Sequence, residues 1–245
     1  NESEKEKRAG VFTYESQSEK YQIPIIEVKH INDDSSIKRL VELKPDIIFV
    51  IGWCQILNAK ALATASWVVG AHASKLPENR GSAPINWSLI KGQKRTGNTF
   101  IRLFDGIDTG DILAQRVFGI DFFDSCKTLY DKVAVSNSEM VVDFCYNVLE
   151  GTVKKQKQTR LDEALLPRRK PEHGLIDWSK SSEEIYNFIR AQVKPYPGAF
   201  FIFQNQICKI WSCAWNPYLN EQGTNGVIHS VTYSFKPELC SVNVA

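Results

Sequence analysis

The sequence predicts an α/β fold, a mostly parallel sheet flanked by helices with a small β appendage, and three observations predict it. Helix-like and strand-like segments alternate through the first 150 residues. A nearly all-apolar run spans Asp46-Ile47-Ile48-Phe49-Val50-Ile51-Gly52, and beyond Gly198 the pattern turns β-like. With 245 residues, 43% of them hydrophobic and 24% charged, the chain can bury one sizeable core and a small addition.

After a polar opening, the segment from Ile23 to Val28 reads as a short apolar strand. Ser35-Ser36 is placed to cap a helix with Ile37, Leu40 and Val41 at helical spacing, and Pro45 stops it. The apolar run from Asp46 is of the kind found in strands covered on both faces. A helix around Ala59 to Thr64, a strand from Trp67 to Ala71, a Pro/Gly loop, a helix from Pro84 to Ile90 and a strand from Thr99 to Phe104 follow. Ile112 to Ile120 is a further strand, and Ser125 caps a long helix to about Leu149 through Leu129, Val133, Val141, Phe144 and Val148. Residues 1–153 are expected to form the core.

From Lys154 to Gly174 the chain is polar, basic and Pro-containing, and ordered loops of this length usually serve a site. Ser181-x-x-Glu184 is a capping box for a helix with Ile185, Phe188 and Ile189 on one face, ended by Pro195-Tyr196-Pro197-Gly198. Residues 154–198 are therefore expected to be a substrate loop and helix. Residues 199–245 are expected to be an antiparallel appendage: Ala199 to Phe203, a turn at Gln204-Asn205, Ile207 to Trp215, and a last strand near Gly226 to Tyr233.

Thirty basic against 28 acidic residues argue against a nucleic-acid-coating surface. No apolar run reaches the roughly 18 residues of a membrane span, and the start NESEKEKR lacks the apolar stretch of a secretion signal, so a cytoplasmic protein without a membrane partner is expected. The six cysteines stand singly, without C-x-x-C or a His at ligand spacing, and read as reduced core residues with no metal.

Two stretches carry chemistry. His72 follows a buried strand, where open α/β sheets meet ligands; alternatively its ring satisfies a local hydrogen bond. Asp105-Gly106-Ile107-Asp108-Thr109-Gly110-Asp111-Ile112 follows the next strand and places acidic residues at the same end of the sheet, or is simply a Gly/Asp-rich turn. A carboxylate beside an imidazole fixes its tautomer and suits it to proton transfer.

These residues extend into a longer pattern: His72, Ser74, Leu76, Pro77, Arg80, Gly81 and Pro84, then Thr96-Gly97-Asn98-Thr99, then Asp108, Gly110, Asp111 and Ile112. The pattern resembles the signature of the folate-dependent formyltransferases. Gly52-Trp53-Cys54-Gln55-Ile56-Leu57 resembles the family's folate-binding strand end, and Ile176-Asp177-Trp178 with Pro195-Tyr196-Pro197-Gly198-Ala199 resembles its later substrate loop and helix end. The likeness covers roughly residues 20 to 215. It implies a Rossmann-like fold and transfer of a formyl group from 10-formyltetrahydrofolate to a primary amine, without a metal. It further implies that His72, oriented by Asp108, moves the amine's proton and stabilises the oxyanion. The backbone of Gln55, Ile56 and Leu57 would bind the pterin, Asp111 and its turn would pack beside the ring, and Arg80 and Trp178 would meet the acceptor.

The chain departs from the pattern in two places. The family's Asn two residues before the His is Gly70 here, and Asn98 either replaces that amide or is a strand Asn bonded locally. The family's first strand, helix and strand precede the equivalent of Tyr21, so these first strands are expected to be missing from the sequence. Ala-Pro-Ile-Asn-Trp after Gly81, with the Trp178 and Pro195 motifs, resembles most the nucleotide-sugar N-formyltransferases; a tRNA enzyme would carry a larger basic C-terminal domain. Arg80, Arg168 and Arg169 could offer charge to a diphosphate, or the loop pair could be solvated surface. The rival readings are a catalytically silent relative that binds folate or nucleotide, and a formyltransferase for a different amine. Phe200, Phe201, Trp211 and Trp215 suggest homodimerisation or, equally, core packing.

Overall fold

The computed structural model describes residues 13–104, 106–159 and 164–214, and the backbone of 228–232 and 241–244. The elements run α1 (Glu15–Tyr21), α2 (Asp34–Leu43), β1 (Ile47–Val50), α3 (Ala59–Leu62), β2 (Trp67–His72), α4 (Pro84–Ile90), β3 (Arg95–Arg102), β4 (Ile112–Gly119) and α5 (Cys126–Leu149). A 3-10 turn (Pro171–Gly174), α6 (Ser182–Arg190), β5 (Ala199–Phe203), β6 (Gln206–Ile210), β7 (Ile228–Thr232) and β8 (Ser241–Val244) follow.

The main sheet has the order β1-β2-β3-β4. Its directions correct the expectation of a mostly parallel sheet. β1 and β2 are parallel, but β3 runs antiparallel to β2, with His72 opposite Thr99, and β4 runs antiparallel to β3, with Thr99 opposite Gln115. After β2 the chain passes through a loop and the seven-residue α4, and β3 enters from the C-terminal end of β2 and runs back.

Strand alternation divides the sheet into two faces. One face carries Val69 and Phe100 against Met140 and Phe144 of α5, with Trp67 and Phe49 edge-on to Phe144 at 5.6 and 5.9 Å between centroids. The other face carries Gly70, His72, Thr99 and Ile101, where Ile101 packs with Leu76, Leu103 and Ile112 under two loops. α5 starts at Ser125 as expected: the Ser125 hydroxyl accepts from Thr128 N–H while Thr128 returns the bond, and Leu129, Val133 and Phe144 are buried. Cys126 lies at its buried start, and burial pushes the thiol up to about 12.

Several local expectations change. Residues 23 to 28 form no strand, because no neighbouring strand bonds them, and Ile23, Ile25 and Ile26 are exposed. β1 is half-buried rather than covered on both faces, since it is the sheet's edge among the described residues. α2 begins at Asp34 behind Asp33, and the Ser36 hydroxyl instead donates to the His30 carbonyl. β6 ends at Ile210, short of Trp215, which lies outside the described residues.

The C-terminal part is β as expected. Ser181 and Glu184 form the capping box, and Ile189, Ile185 and Phe188 of α6 pack with Ile176 and Ala199. β5 and β6 form a hairpin turning at Gln204 and Asn205, both with positive φ, as two-residue hairpin turns require. β7 and β8 form a second hairpin.

Two outcomes follow for stability. Phe144→Ala should cost about 3–5 kcal/mol in urea unfolding, because the ring bridges α5 to β1 and β2. At the start of α5, burial raises the Asp124 carboxyl, but bonds from Lys132 at 2.6 Å, Asp121 N–H and Thr128 outweigh it, and the net shift is downward. A lowered folded-state value adds stability above the ordinary carboxylate value of about 3.9 that is lost as pH falls through the lowered one. Asp124→Asn should therefore destabilise at neutral pH, and its cost in urea titrations should shrink between about pH 5 and pH 3.

Candidate active site

His72 is the last residue of β2 and is 8% exposed on the face away from α5. Thr99, opposite it, anchors the loop that follows. Its hydroxyl donates to the Ser74 carbonyl at 2.7 Å and accepts from Leu76 N–H and Gln115 Nε2. The loop then returns so that the Asn79 carbonyl accepts from His72 Nε2 at 2.9 Å. Asn79 holds that position with φ +58, and its side chain is engaged by Ser88, Gln93 and Lys91.

Asp108 arrives by another route. Because β3 is antiparallel, its end lies opposite Val69, three residues back along β2, so the two acidic and imidazole stretches do not leave the same end of the sheet as expected. The loop after β3 folds back instead. Gly110 permits the fold, since a Cβ there would stand 1.9 Å from the Arg102 carbonyl oxygen. Asp108 (φ +52) then directs Oδ2 at Gly81 N–H, 2.9 Å away, and at His72 Nδ1, 3.5 Å away.

Both ring nitrogens of His72 thus face oxygens. A neutral imidazole has one N–H to offer, whereas the imidazolium has two. The Asp108 side chain is 21% exposed, which leaves a side from which a reactant can approach.

The other expected site residues divide. Gln55, Ile56 and Leu57 follow β1, whose end Val50 pairs with Gly70 beside His72. The Gln55 amide bonds Ile31 N–H and the Lys29 carbonyl, Asn32 Nδ2 donates to the Ile56 carbonyl, and the Ile56 side chain is 76% exposed. Asp111 closes the Asp108 loop, its carbonyl accepting from Arg102 N–H. Arg80 sits between Asn79 and Gly81, half-buried.

Asn98 is not brought to His72. Adjacent residues of a strand point to opposite faces, so Thr99 faces the imidazole and Asn98 faces α5, where its Nδ2 donates to Ser136 at 2.9 Å and Asn137 at 2.7 Å. Strand alternation thus overturns the displaced-amide expectation, and the locally bonded alternative holds. At Gly70 an added Cβ would meet Leu103 Cδ2 at 2.6 Å, so a leucine fills that place.

Trp178 packs in the α6 cluster, edge-on to Phe201 at 5.8 Å, rather than beside the His72 loops. Arg169 is half-buried and held by protein groups. Its guanidinium stacks over Trp87 and Phe188 and donates to His173 O and Gln192 Oε1, and burial lowers its pKa. Arg168 is exposed. Phe200 and Phe201 are half-buried and Trp211 exposed, under the cations of Lys194 and Lys209.

Sequence reasoning missed Asn79 and the Gly81 N–H. The signal for both was the short-range pattern Asn79-Arg80-Gly81, since Asn and Gly are the residues that tolerate positive φ.

The family model described as Formyl transferase matches residues 2–145, and that described as Formyl transferase, C-terminal domain, matches residues 168–235. The chain belongs to the formyl transferase family. Methionyl-tRNA formyltransferase of Bacillus velezensis is 33% identical to this formyl transferase over 198 residues, 80% of this chain and 62% of that protein. The bifunctional polymyxin resistance protein ArnA of Wigglesworthia glossinidia brevipalpis is 38% identical over 194 residues, 78% of this chain and 30% of that protein. The chain thus spans under two thirds of the length of these relatives. Among solved structures, the N-formyltransferase from Helicobacter canadensis in complex with folinic acid and dTDP-3-aminofucose shares the fold at TM-score 0.65 and 21% identity, covering 80% of this chain and 71% of that one. Methionyl-tRNA formyltransferase from Clostridium thermocellum does so at 0.63 and 22%, covering 94% and 91%.

The loop that delivers Asp108 predicts a glycine contrast. Gly110→Ala should cost about 1–3 kcal/mol in urea unfolding as the loop moves off the Arg102 carbonyl. Gly119→Ala, whose Cβ would meet nothing within 4 Å, should stay within about 0.5 kcal/mol.

Proposed function

We propose that this formyl transferase moves the formyl group of 10-formyltetrahydrofolate to the primary amine of a nucleotide-linked amino sugar, with His72 as proton carrier and Asp108 as the carboxylate that orients it. The observation that carries the reading is a buried imidazole held between a carboxylate and a carbonyl at the end of β2, next to the loop that leaves the parallel strand β1.

A neutral amine attacks the formyl carbon and forms a tetrahedral oxyanion with a cationic nitrogen. His72 takes the amine's proton; collapse breaks the bond to N10, which takes up a proton, and releases the formamide and tetrahydrofolate. A protonated His72 can also donate to the oxyanion. Gln115, the amide opposite Thr99 on that face, is engaged by the Leu76 carbonyl and Thr99, so the ring carries more of this work than a site with a free amide would ask of it. The pterin would lie against residues 55 to 57 and the turn at Asp111. The Ile56 carbonyl already accepts from Asn32, which leaves the Ile56 N–H and the peptide groups of Gln55 and Leu57 for backbone recognition.

The sugar acceptor rests on the Ala83-Pro84-Ile85-Asn86-Trp87 and Pro195-Tyr196-Pro197-Gly198 stretches, together with the fold shared with a protein bound to dTDP-3-aminofucose. A methionyl-tRNA acceptor is the second reading, favoured by the names of several relatives at 31–34% identity.

The deciding assay follows formylated product by mass spectrometry, with 10-formyltetrahydrofolate and either a panel of nucleotide-linked amino sugars or methionyl-tRNA. Product on a sugar, reduced about 100- to 10,000-fold in His72→Ala, supports the proposal. Product on methionyl-tRNA alone replaces the acceptor. Folate binding without product on any acceptor would leave a silent binding protein.

A further inference from the structure

We infer that Gln158 is a positioning residue for the His72–Asp108 pair, and that the segment carrying it is a splint that holds Asp108 against the imidazole. Residues 154–159 do not drift over the surface, as a polar linker would. Gln156 pairs with Ile112 at the start of β4 through two backbone bonds of 2.8 and 2.9 Å. Two residues on, Gln158 Nε2 donates both hydrogens to the loop after β3, to the Asp108 carbonyl at 2.9 Å and the Gly110 carbonyl at 2.7 Å.

These two carbonyls flank a backbone that needs holding. Asp108 and Gly106 both have positive φ, and nothing in a β3–β4 ladder reaches a loop that has left it. The amide orientation is fixed by its partners, since a flipped Gln158 would set oxygen against two carbonyls. Its Oε1 is buried and has no partner among the described residues, a state that costs about 1–3 kcal/mol. A residue retained at that cost serves through its donors.

The same connecting segment also reaches the other arm of the site. Leu166 N–H donates to the Arg80 carbonyl and the Leu166 carbonyl accepts from Ser82 N–H, on either side of Gly81, whose own N–H meets Asp108 Oδ2. One stretch of chain therefore ties down both the carboxylate and the amide it leans on. Both Gln158 donors are engaged by the Asp108 and Gly110 carbonyls and neither by His72, so its effect passes through Asp108.

The test uses the full chain with Gln158→Leu, Gln158→Lys, Asp108→Asn and the double variant Asp108→Asn/Gln158→Leu. The first readout is independent of activity: the imidazole nitrogen resonances of His72 in long-range proton–nitrogen spectra, assigned with His72→Gln. Gln158→Leu should move them as Asp108→Asn does, and Gln158→Lys, whose ammonium keeps donors for the carbonyls, should leave them near the original. The kinetic arm rests on the proposed transfer. Gln158→Leu should lower kcat about 10- to 100-fold with the folate KM within about twofold, and should add nothing in the Asp108→Asn background. Unmoved His72 resonances in a folded Gln158→Leu overturn the inference, as does an additive double variant. If Gln158→Leu fails to fold, displaced resonances in Gln158→Lys overturn it. Should the unaltered chain formylate no acceptor, the proposed function fails, while the spectra still decide the role of Gln158.

Discussion

The Asp108 carboxylate is the joint on which the site depends. One oxygen accepts Gly81 N–H and stands beside His72 Nδ1, so a single group ties the loop after β2 to the loop after β3. Those loops start at opposite ends of an antiparallel pair, and neither has a ladder to guide it toward the other. The positive φ of Gly81, the absence of a Cβ at Gly110 and the left-handed turn at Asp108 all serve that one meeting. An N–H and a ring nitrogen face this half-buried carboxylate, so the contact that forms the chemistry also stabilises the loops that make it.

The division of labour between the two sheet faces makes this possible. Met140 and Phe144 of α5 close over Val69 and Phe100 and supply the apolar burial, which leaves the opposite face free to be covered by loops with polar contents. Asn98 is the exception on the packed face, and it is admitted because Ser136 and Asn137 of α5 accept its amide hydrogens. The site face inverts the proportions. Leu76, Leu103, Ile101 and Ile112 form a small apolar floor, Thr99 and Gln115 bind the backbone that rises from it, and the Asn79 carbonyl accepts from the His72 ring.

What could be read from the sequence was whatever a few neighbouring residues decide. Pro84 to Ile90, the Ser125 and Ser181 caps and the strand from Ala199 to Phe203 were legible because turn, cap and period signals are local. His72 and Asp108 were legible through the spacing of a family pattern. Sheet direction was not, because the pairing of β3 with β2 joins residues about thirty positions apart and no short stretch of sequence encodes it. Asn98 was misplaced because the face it occupies follows from register. Gln158 gave no signal, since its partners are backbone carbonyls that every residue type possesses.

The hydrogen bonds of the imidazole also bear on how the site must work. Nε2 lies within ordinary bonding distance of the Asn79 carbonyl, and at 3.5 Å Nδ1 lies beyond it from Asp108. A ring with an oxygen facing each nitrogen has no open position for an amine or an oxyanion, so a reactant must enter on one side and displace an oxygen. The Asn79 side is backed by a network that runs from buried Ser88 through Gln93 to Lys91, whereas the Asp108 side is the longer contact and the more exposed one. The reacting atoms are therefore expected to approach between the ring and the Asp108 loop, with Asn79 as the fixed wall behind, and the stiffness of that loop decides how closely they can be held.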